Sequence, residues 1–465
     1  MTDATSATTG PESATAGGAT TGRELWGSRA GFILAAVGSA VGLGNMWRFA
    51  YQTAEGGGAA FVVLYLLLTF VIGIPVMIAE FGLGRSTRQS PIGALHEAGG
   101  RRWTPVGYLF VISGVLILAY YSVIAGWVTR YALDAILSPF PADSAGYFGR
   151  ISQGIGAAAY HLIFMVATIL IVSSGIKRGI ERASYVMMPL LFAIMLGLAI
   201  WAAFLPGANE GYTFYLTPHV SDVFSFETLG AAASQAFFSL SLGMGAMLTY
   251  ASYLQRNSNL PGHSTVIAIS DMSVAFVAGL VVFPVIFALG LQSAVGSSAL
   301  GTLFISLPGA FEAMGATGRA VGLLFFIALF VGALTSAISL LEVVVASAVD
   351  SFGLERRSAA LICGGLIALI GIAPALDTNV LGAMDAVASE VFLPLGGLLL
   401  AILVGWRMKD RLDAFTEGAS PALRPLMTAW IWTLRLAVPP LLVIVLWNTV
   451  PTGIAAVRTA IQGGN

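Results

Sequence analysis

The chain has 465 residues, 57% of them hydrophobic and only 10% charged, with a mean hydropathy of +0.86; a soluble domain carries about 25% charged residues, so this chain reads as an integral membrane protein. Its 22 basic and 23 acidic residues give a formal net charge of -1, which leaves no basic field for nucleic acid. The single cysteine, Cys363, forms neither an intrachain disulfide nor a cysteine metal cluster.

Residues 1–22 are rich in Thr, Ala, Ser and Gly, with no Lys or Arg before Arg23. They lack the basic start and apolar core of a signal peptide and read as a disordered cytoplasmic tail. Beyond them the apolar sequence falls into long runs, not the alternating segments of about ten residues that make a barrel, so the spanning elements are helices. About eleven are expected, at 30–52, 59–84, 104–132, 157–174, 183–205, 227–253, 264–291, 320–348, 358–374, 380–406 and 425–449.

With the tail inside, 16 of the 22 basic residues gather on the inner side: Arg23, Arg29, Arg85, Arg88, Arg101, Arg102, Lys177, Arg178, Arg182, Arg256, Arg356, Arg357, Arg407, Lys409, Arg411 and Arg424. That bias follows the positive-inside rule. An odd helix count then puts the C-terminus, with Arg458, outside. The expectation is a multi-pass protein of the plasma membrane with a cytoplasmic N-terminus.

Lys177 and Lys409 are the only lysines and neither follows a glycine, so the ATP-binding pattern G-x-x-x-x-G-K is absent. His96, His161, His219 and His263 are far apart and lack zinc-site spacing, which leaves loop or helix-end positions for them. An enzyme is not expected.

The 55 glycines are informative where they interrupt apolar runs. The first helix contains Gly38-Ser39-Ala40-Val41-Gly42-Leu43-Gly44-Asn45, and the sixth contains Phe237-Phe238-Ser239-Leu240-Ser241-Leu242-Gly243-Met244-Gly245. Each opens a five-helix block, the pattern of an inverted repeat whose binding site lies where helices break. This divides the chain into a tail (1–22), helices 1–5 (23–205), helices 6–10 (206–406) and helix 11 with its tail (407–465). An unwound turn in mid-membrane is tolerated only where its backbone groups line a cavity or hold a ligand. The half-helix starting near Gly44 offers N–H groups to an anion, and the preceding carbonyls attract cations, a geometry for a zwitterion with Na+. Close packing through Gly38-x-x-x-Gly42 is the plainer alternative, but it explains neither Asn45 nor the pair Ser239 and Ser241.

The strings Gly38-Ser-Ala-Val-Gly-Leu-Gly-Asn-Met-Trp-Arg-Phe49, Glu55-Gly-Gly-Gly, Gly73-Ile-Pro-Val76, Gly179-Ile-Glu181, Phe238-Ser-Leu-Ser-Leu-Gly-Met-Gly245 and Leu334-Thr-Ser336, in this order, resemble the neurotransmitter:sodium symporter family, in its prokaryotic amino-acid transporter branch. The resemblance implies an all-α membrane protein with about eleven helices in a 5+5 inverted repeat, helices 1 and 6 broken. The family usually has twelve helices, and some prokaryotic members end after the eleventh.

It implies two Na+ ions. The first would take Ala40, Asn45, Ser239, the substrate carboxylate and Asp271 of helix seven, aligned through Phe276-Val-Ala-Gly279; a shift of one turn puts Asp271 at the chloride position instead. In either place its charge replaces chloride, which is then not required. A solvated place near the helix start is the plainer reading of Asp271, but an acid within an apolar run is costly without a partner. The second ion would take carbonyls of Gly38, Val41 and Gly332 and hydroxyls of Thr335 and Ser336, joining helix one to helix eight. Bonding to their own helix carbonyls is the plainer role for those hydroxyls.

At the position of Gly42 the family's monoamine carriers have an aspartate, so glycine implies a substrate bringing its own carboxylate, an α-amino acid. That carboxylate would meet the Leu43 and Gly44 amides and Tyr121; the ammonium would meet carbonyls of Ala40, Phe238, Ser239 and Ser241. Ser39, Ile117, Phe238, Met244 and Leu340, with Ser336 beside them, would wall a side-chain pocket without fixed charge, favouring hydrophobic or aromatic substrates. Gates are expected from Arg48 with Asp385 outside, above Phe238, and from Arg23 with Asp350 inside, near Trp26, Ser252 and Tyr253. Glu80, Glu342 and Glu390 are expected to cap helices or bond backbone. Expected partners are a small amino acid and the bilayer, with a homodimer as an option and no nucleic acid. A Na+-dependent amino-acid sensor that does not transport, or an ion channel, is the alternative function.

Overall fold

The computed structural model describes residues 24–218, 226–291, 299–408, 415, 418 and 424–462. The tail 1–22, Arg23, His219, Lys409 and Arg411 lie outside the described residues. Among the described residues the regular elements are helices, with no strand. In chain order they are α1, in two pieces Arg29–Ala40 and Gly44–Glu55, then α2 (Ala59–Thr87), α3 (Arg101–Leu137), α4 (Ile155–Ser173) and α5 (Ile176–Ala202). α6 is again in two pieces, Phe226–Ser239 and Ala246–Ala251. Then follow α7 (Leu260–Ala288), α8 (Gly315–Phe352), α9 (Arg356–Leu376), α10 (Thr378–Arg407) and α11 (Leu426–Gln462).

Nine of these are long and apolar enough to cross a bilayer unaided, and the α1 pieces, bent by 57°, make a tenth together. The α6 pieces, of 14 and 6 residues, are each too short to be spans alone but bring the described elements to the expected eleven. Boundaries move by a few residues, most of all in α11, which runs to Gln462 and not 449. The helix continues past Pro451, where Ala455, Ala456 and Ala460 supply the strongest helix former.

The most apolar stretches of α8 and α3 are 78% and 72% buried, against 28% for α5 and 33% for α4 and α11. The former are therefore the inner wall and the latter face lipid. Lipid offers no hydrophobic drive between helices, so close backbone approach has to hold them. At Gly84 of α2 an added Cβ would fall 2.0 Å from the Leu248 carbonyl oxygen of α6, so any other residue would push the two apart.

Candidate functional site

α1 ends because Val41 turns to extended backbone (ψ 105) after its N–H closes the last helical bond to Val37. The Gly42 N–H is taken by Asn45 Oδ1 at 2.9 Å, a side chain replacing the lost helical acceptor. In α6 three residues within five, Ser241 (φ 53), Gly243 (φ 79) and Gly245 (φ 76), occupy the left-handed region, which ends a right-handed helix outright. Gly243 also needs its missing side chain: a Cβ would lie 2.2 Å from the Leu393 carbonyl oxygen. Ser241, the non-glycine member, donates to the Ser39 carbonyl of α1 at 2.8 Å, so the two breaks are bonded to one another.

Beside them three elements meet at Asp271 of α7. Its carboxylate accepts from Asn45 Nδ2 (2.6 Å), Ser239 Oγ (2.8 and 2.9 Å) and the Tyr65 hydroxyl (3.0 Å). Asp271 is fully buried, and among the described residues it has no ion pair. A buried carboxylate so placed needs a proton or a cation for neutrality.

A second group of oxygens joins α1 to α8. Ser336 Oγ lies 3.3–3.5 Å from the carbonyls of Gly38, Ser39 and Val41. Thr335 Oγ1 bonds within its own helix, to Val331 (3.2 Å) and Gly332 (3.0 Å), while its Cβ stands 3.0 Å from where a Gly38 Cβ would be. The plainer role therefore holds for Thr335 in this arrangement, whereas Ser336 reaches across.

Between these groups lies a cavity of about 30 Å³, lined by Ser39, Ala40, Gly42, Gly44, Ile117, Tyr121, Phe238, Ser239, Ser241, Met244, Ser336 and Leu340. No charged side chain faces it. Leu43 is not in this wall; its N–H donates to the Tyr121 hydroxyl at 3.2 Å. Ser39 Oγ is turned to Ser339 of α8 at 2.8 Å. A Cβ on Gly42 would fall 2.4 Å from Ser336 Oγ and 2.9 Å from the Tyr121 oxygen. The volume suits roughly one water-sized group, so an amino acid enters only if wall side chains move, and Met244, with three rotatable bonds, is suited to that.

The gate pairs come out differently. Arg48 does not pair with Asp385; its ion-pair partner among the described residues is Glu390, at 3.9 Å, with Ser234 accepting at 3.3 Å. The widened turn Ala386–Phe392 brings Glu390 to the wall facing α1, and Asp385 lies against Tyr120 of α3. Arg48 caps the Phe238 ring at 4.9 Å, as expected of a lid. On the other face Arg23 lies outside the described residues, and Asp350 accepts from the Ser90 N–H at 2.7 Å. Tyr253 donates to Glu342 (2.5 Å), itself paired with Arg356 (2.5 Å), and its carbonyl accepts from Trp26 N–H (3.3 Å). Trp26 also donates through its indole to the Tyr250 carbonyl at 2.9 Å.

Of the three glutamates, only Glu80 bonds backbone: its oxygens accept from the Gly243 and Leu248 N–H groups, at 2.8 and 3.2 Å. It thus satisfies donors that the α6 break exposes. Glu342 and Glu390 face arginines, because an arginine is within reach of each. Sequence reasoning passed over Tyr65, Gln235, whose amide donates to the Gly44 carbonyl at 3.1 Å, and Glu181, which holds the Gly27 N–H (2.7 Å) and Ser28 hydroxyl (2.9 Å). A polar side chain inside an apolar run was the signal for Tyr65 and Gln235, and the string Gly179-Ile-Glu181 was the one for Glu181. His161 and His263 are buried, not solvated.

Fold and site define a class: a helical membrane protein in which two interrupted spans enclose an uncharged cavity beside clustered oxygen donors. The family model for the sodium:neurotransmitter symporter family matches residues 23–147 and 145–452, and the chain belongs to that family. An uncharacterised sodium-dependent transporter of Bacillus subtilis is 35% identical over 447 residues, covering 91% of this chain and 97% of that protein. A sodium-dependent neutral amino acid transporter of Rattus norvegicus is 28% identical over 300 residues, 57% of this chain and 41% of the relative. Among solved structures, MhsT in complex with L-phenylalanine is similar with a TM-score of 0.83 and 41% identity, over 92% of this chain and 100% of that one. The chain is a sodium-dependent membrane transporter and not an enzyme.

Proposed function

We propose that the protein imports neutral, hydrophobic or aromatic amino acids with Na+ by alternating access, in the plasma membrane with its N-terminus in the cytoplasm. One observation carries this reading: an uncharged cavity sits between two helix breaks, with oxygen donors on both sides of it. The rat relative named for neutral amino acids and the L-phenylalanine complex of MhsT support the substrate class.

The substrate carboxylate meets the Leu43 and Gly44 amides and Tyr121, and the ammonium meets carbonyls exposed at the breaks. The first Na+ takes Ala40, Asn45, Ser239 and Asp271 with that carboxylate; the second takes Gly38, Val41, Gly332, Thr335 and Ser336. These are hard oxygen donors, as Na+ requires. The Asp271 charge makes chloride unnecessary. Because the second ion bridges α1 and α8, its departure frees the first piece of α1 to swing and open the inner side. Residues 23–205 and 206–406 act as the two repeats that exchange access.

Purified protein in liposomes with an imposed inward Na+ gradient is expected to accumulate radiolabelled phenylalanine or leucine, and not aspartate or lysine. Binding of amino acid without accumulation under any Na+ gradient would overturn the transport reading.

A further inference from the structure

Ser39, in the last turn of the first piece of α1, is 1% exposed and lines the central cavity. Its backbone is pinned from two sides, since its carbonyl accepts from the hydroxyls of Ser241 of α6 (2.8 Å) and Ser336 of α8 (3.3 Å). A serine hydroxyl has one proton to donate and two lone pairs. Ser339 of α8, equally buried, spends its proton on the Ser336 carbonyl at 2.8 Å. In the 2.8 Å contact between the two hydroxyls the donor is therefore Ser39. With both protons committed along α8, Ser39 Oγ keeps accepting capacity only, and hydrogen bonds in a chain polarise one another, which strengthens that oxygen as an acceptor. Ile117 of α3, Met244 of α6 and Leu340 of α8 wall the same cavity, so the acceptor is set among large apolar side chains.

We infer that Ser39 is a specificity-determining residue whose Oγ accepts a hydrogen bond from the indole N–H of a tryptophan side chain, with Ser339 as the positioning residue that fixes the direction of the chain. This deepens the proposed central amino-acid site and rests on that reading. An indole brings a large apolar body and a single donor with no acceptor, the complement of this wall. A phenol adds lone pairs that a hydroxyl with its proton already committed leaves unmatched. A ring of the same shape without the N–H leaves the buried Ser39 acceptor unpaired, and its affinity is expected to be about tenfold lower.

The test is competition binding to the purified protein in saturating Na+, comparing L-tryptophan with β-(3-benzothienyl)-L-alanine, in which sulfur replaces the indole N–H, and with L-leucine as a reference. Tryptophan is expected to bind about tenfold more tightly than the benzothienyl analogue, and Ser39→Ala to bring that ratio to about one through a loss of tryptophan affinity. Equal affinities in the wild type overturn the inference, as does a ratio that survives in Ser39→Ala or a variant that weakens both ring compounds alike, which is what a merely structural role would do. If Ser39→Ala does not fold, Ser39→Cys, whose sulfur is a weak acceptor, takes its place with the same expectations. Leucine binding without either ring compound sinks this inference alone; no Na+-dependent binding of any of the three sinks the central-site reading and this inference with it.

Discussion

At the scale of single residues, Gly42 and Asp271 carry the sharpest expectations. Even one methyl at Gly42 lands 2.4 Å from Ser336 Oγ, so Gly42→Ala is expected to weaken amino-acid binding at least tenfold, about 1.4 kcal/mol, and Gly42→Asp to abolish it by setting carboxylate against carboxylate. Scintillation proximity binding in saturating Na+ measures both, and unchanged affinity would refute the pose. Asp271→Asn removes the buried charge but keeps a group of the same shape. Its Na+-dependent uptake is expected to become chloride-dependent, read by exchanging chloride for gluconate; an active variant indifferent to chloride argues against charge replacement. The residue types at both positions were plain in sequence, Gly42 as a place for substrate and Asp271 as an acid in an apolar run. Tyr65 as a donor to Asp271 was not, because a tyrosine on an apolar helix ordinarily just packs.

At the scale of elements, the breaks are held by side chains from other helices. Glu80 of α2 caps the α6 break, and Glu80→Ala leaves two buried N–H groups without an acceptor, each worth about 1–3 kcal/mol. A thermal-stability measurement is expected to show a clear fall, with Glu80→Gln, which keeps one acceptor oxygen, milder. The Glu342–Arg356 pair ties α8 to α9 beneath Tyr253. Glu342→Gln strands a mostly buried guanidinium at a cost of about 3–5 kcal/mol, and adding Arg356→Gln is expected to restore part of the lost melting temperature. If the double variant is no more stable than the single, the pair is not coupled. Both breaks were legible as glycine clusters in apolar runs. What caps them was not, because Glu80 is more than 150 residues from Gly243, and which of Asp385 and Glu390 faces Arg48 depends on a widened turn that leaves no mark in hydropathy.

At the scale of the whole molecule, sidedness and coupling follow from the arrangement of spans. A protease site inserted in residues 1–22 is expected to be cut in inside-out vesicles and protected in sealed right-side-out ones; the reverse pattern would invert the proposed topology. Na+ and amino acid are expected to raise one another's affinity by the same factor if, as proposed, both bind across α1 and its neighbours, and calorimetric titrations of each in the presence of the other test that reciprocity.

Composition and hydropathy by themselves decided the membrane class and the helical architecture, since the cost of unpaired backbone in hydrocarbon leaves few alternatives. Motif order pointed to the family, and the glycine clusters marked where the chain unwinds. Tertiary structure alone decided which polar side chains meet: Glu80 with the α6 break, Glu390 in place of Asp385 beside Arg48, and Tyr65 with Asp271. Those pairings join segments remote in sequence through helix rotation and close packing, and a one-dimensional pattern carries neither.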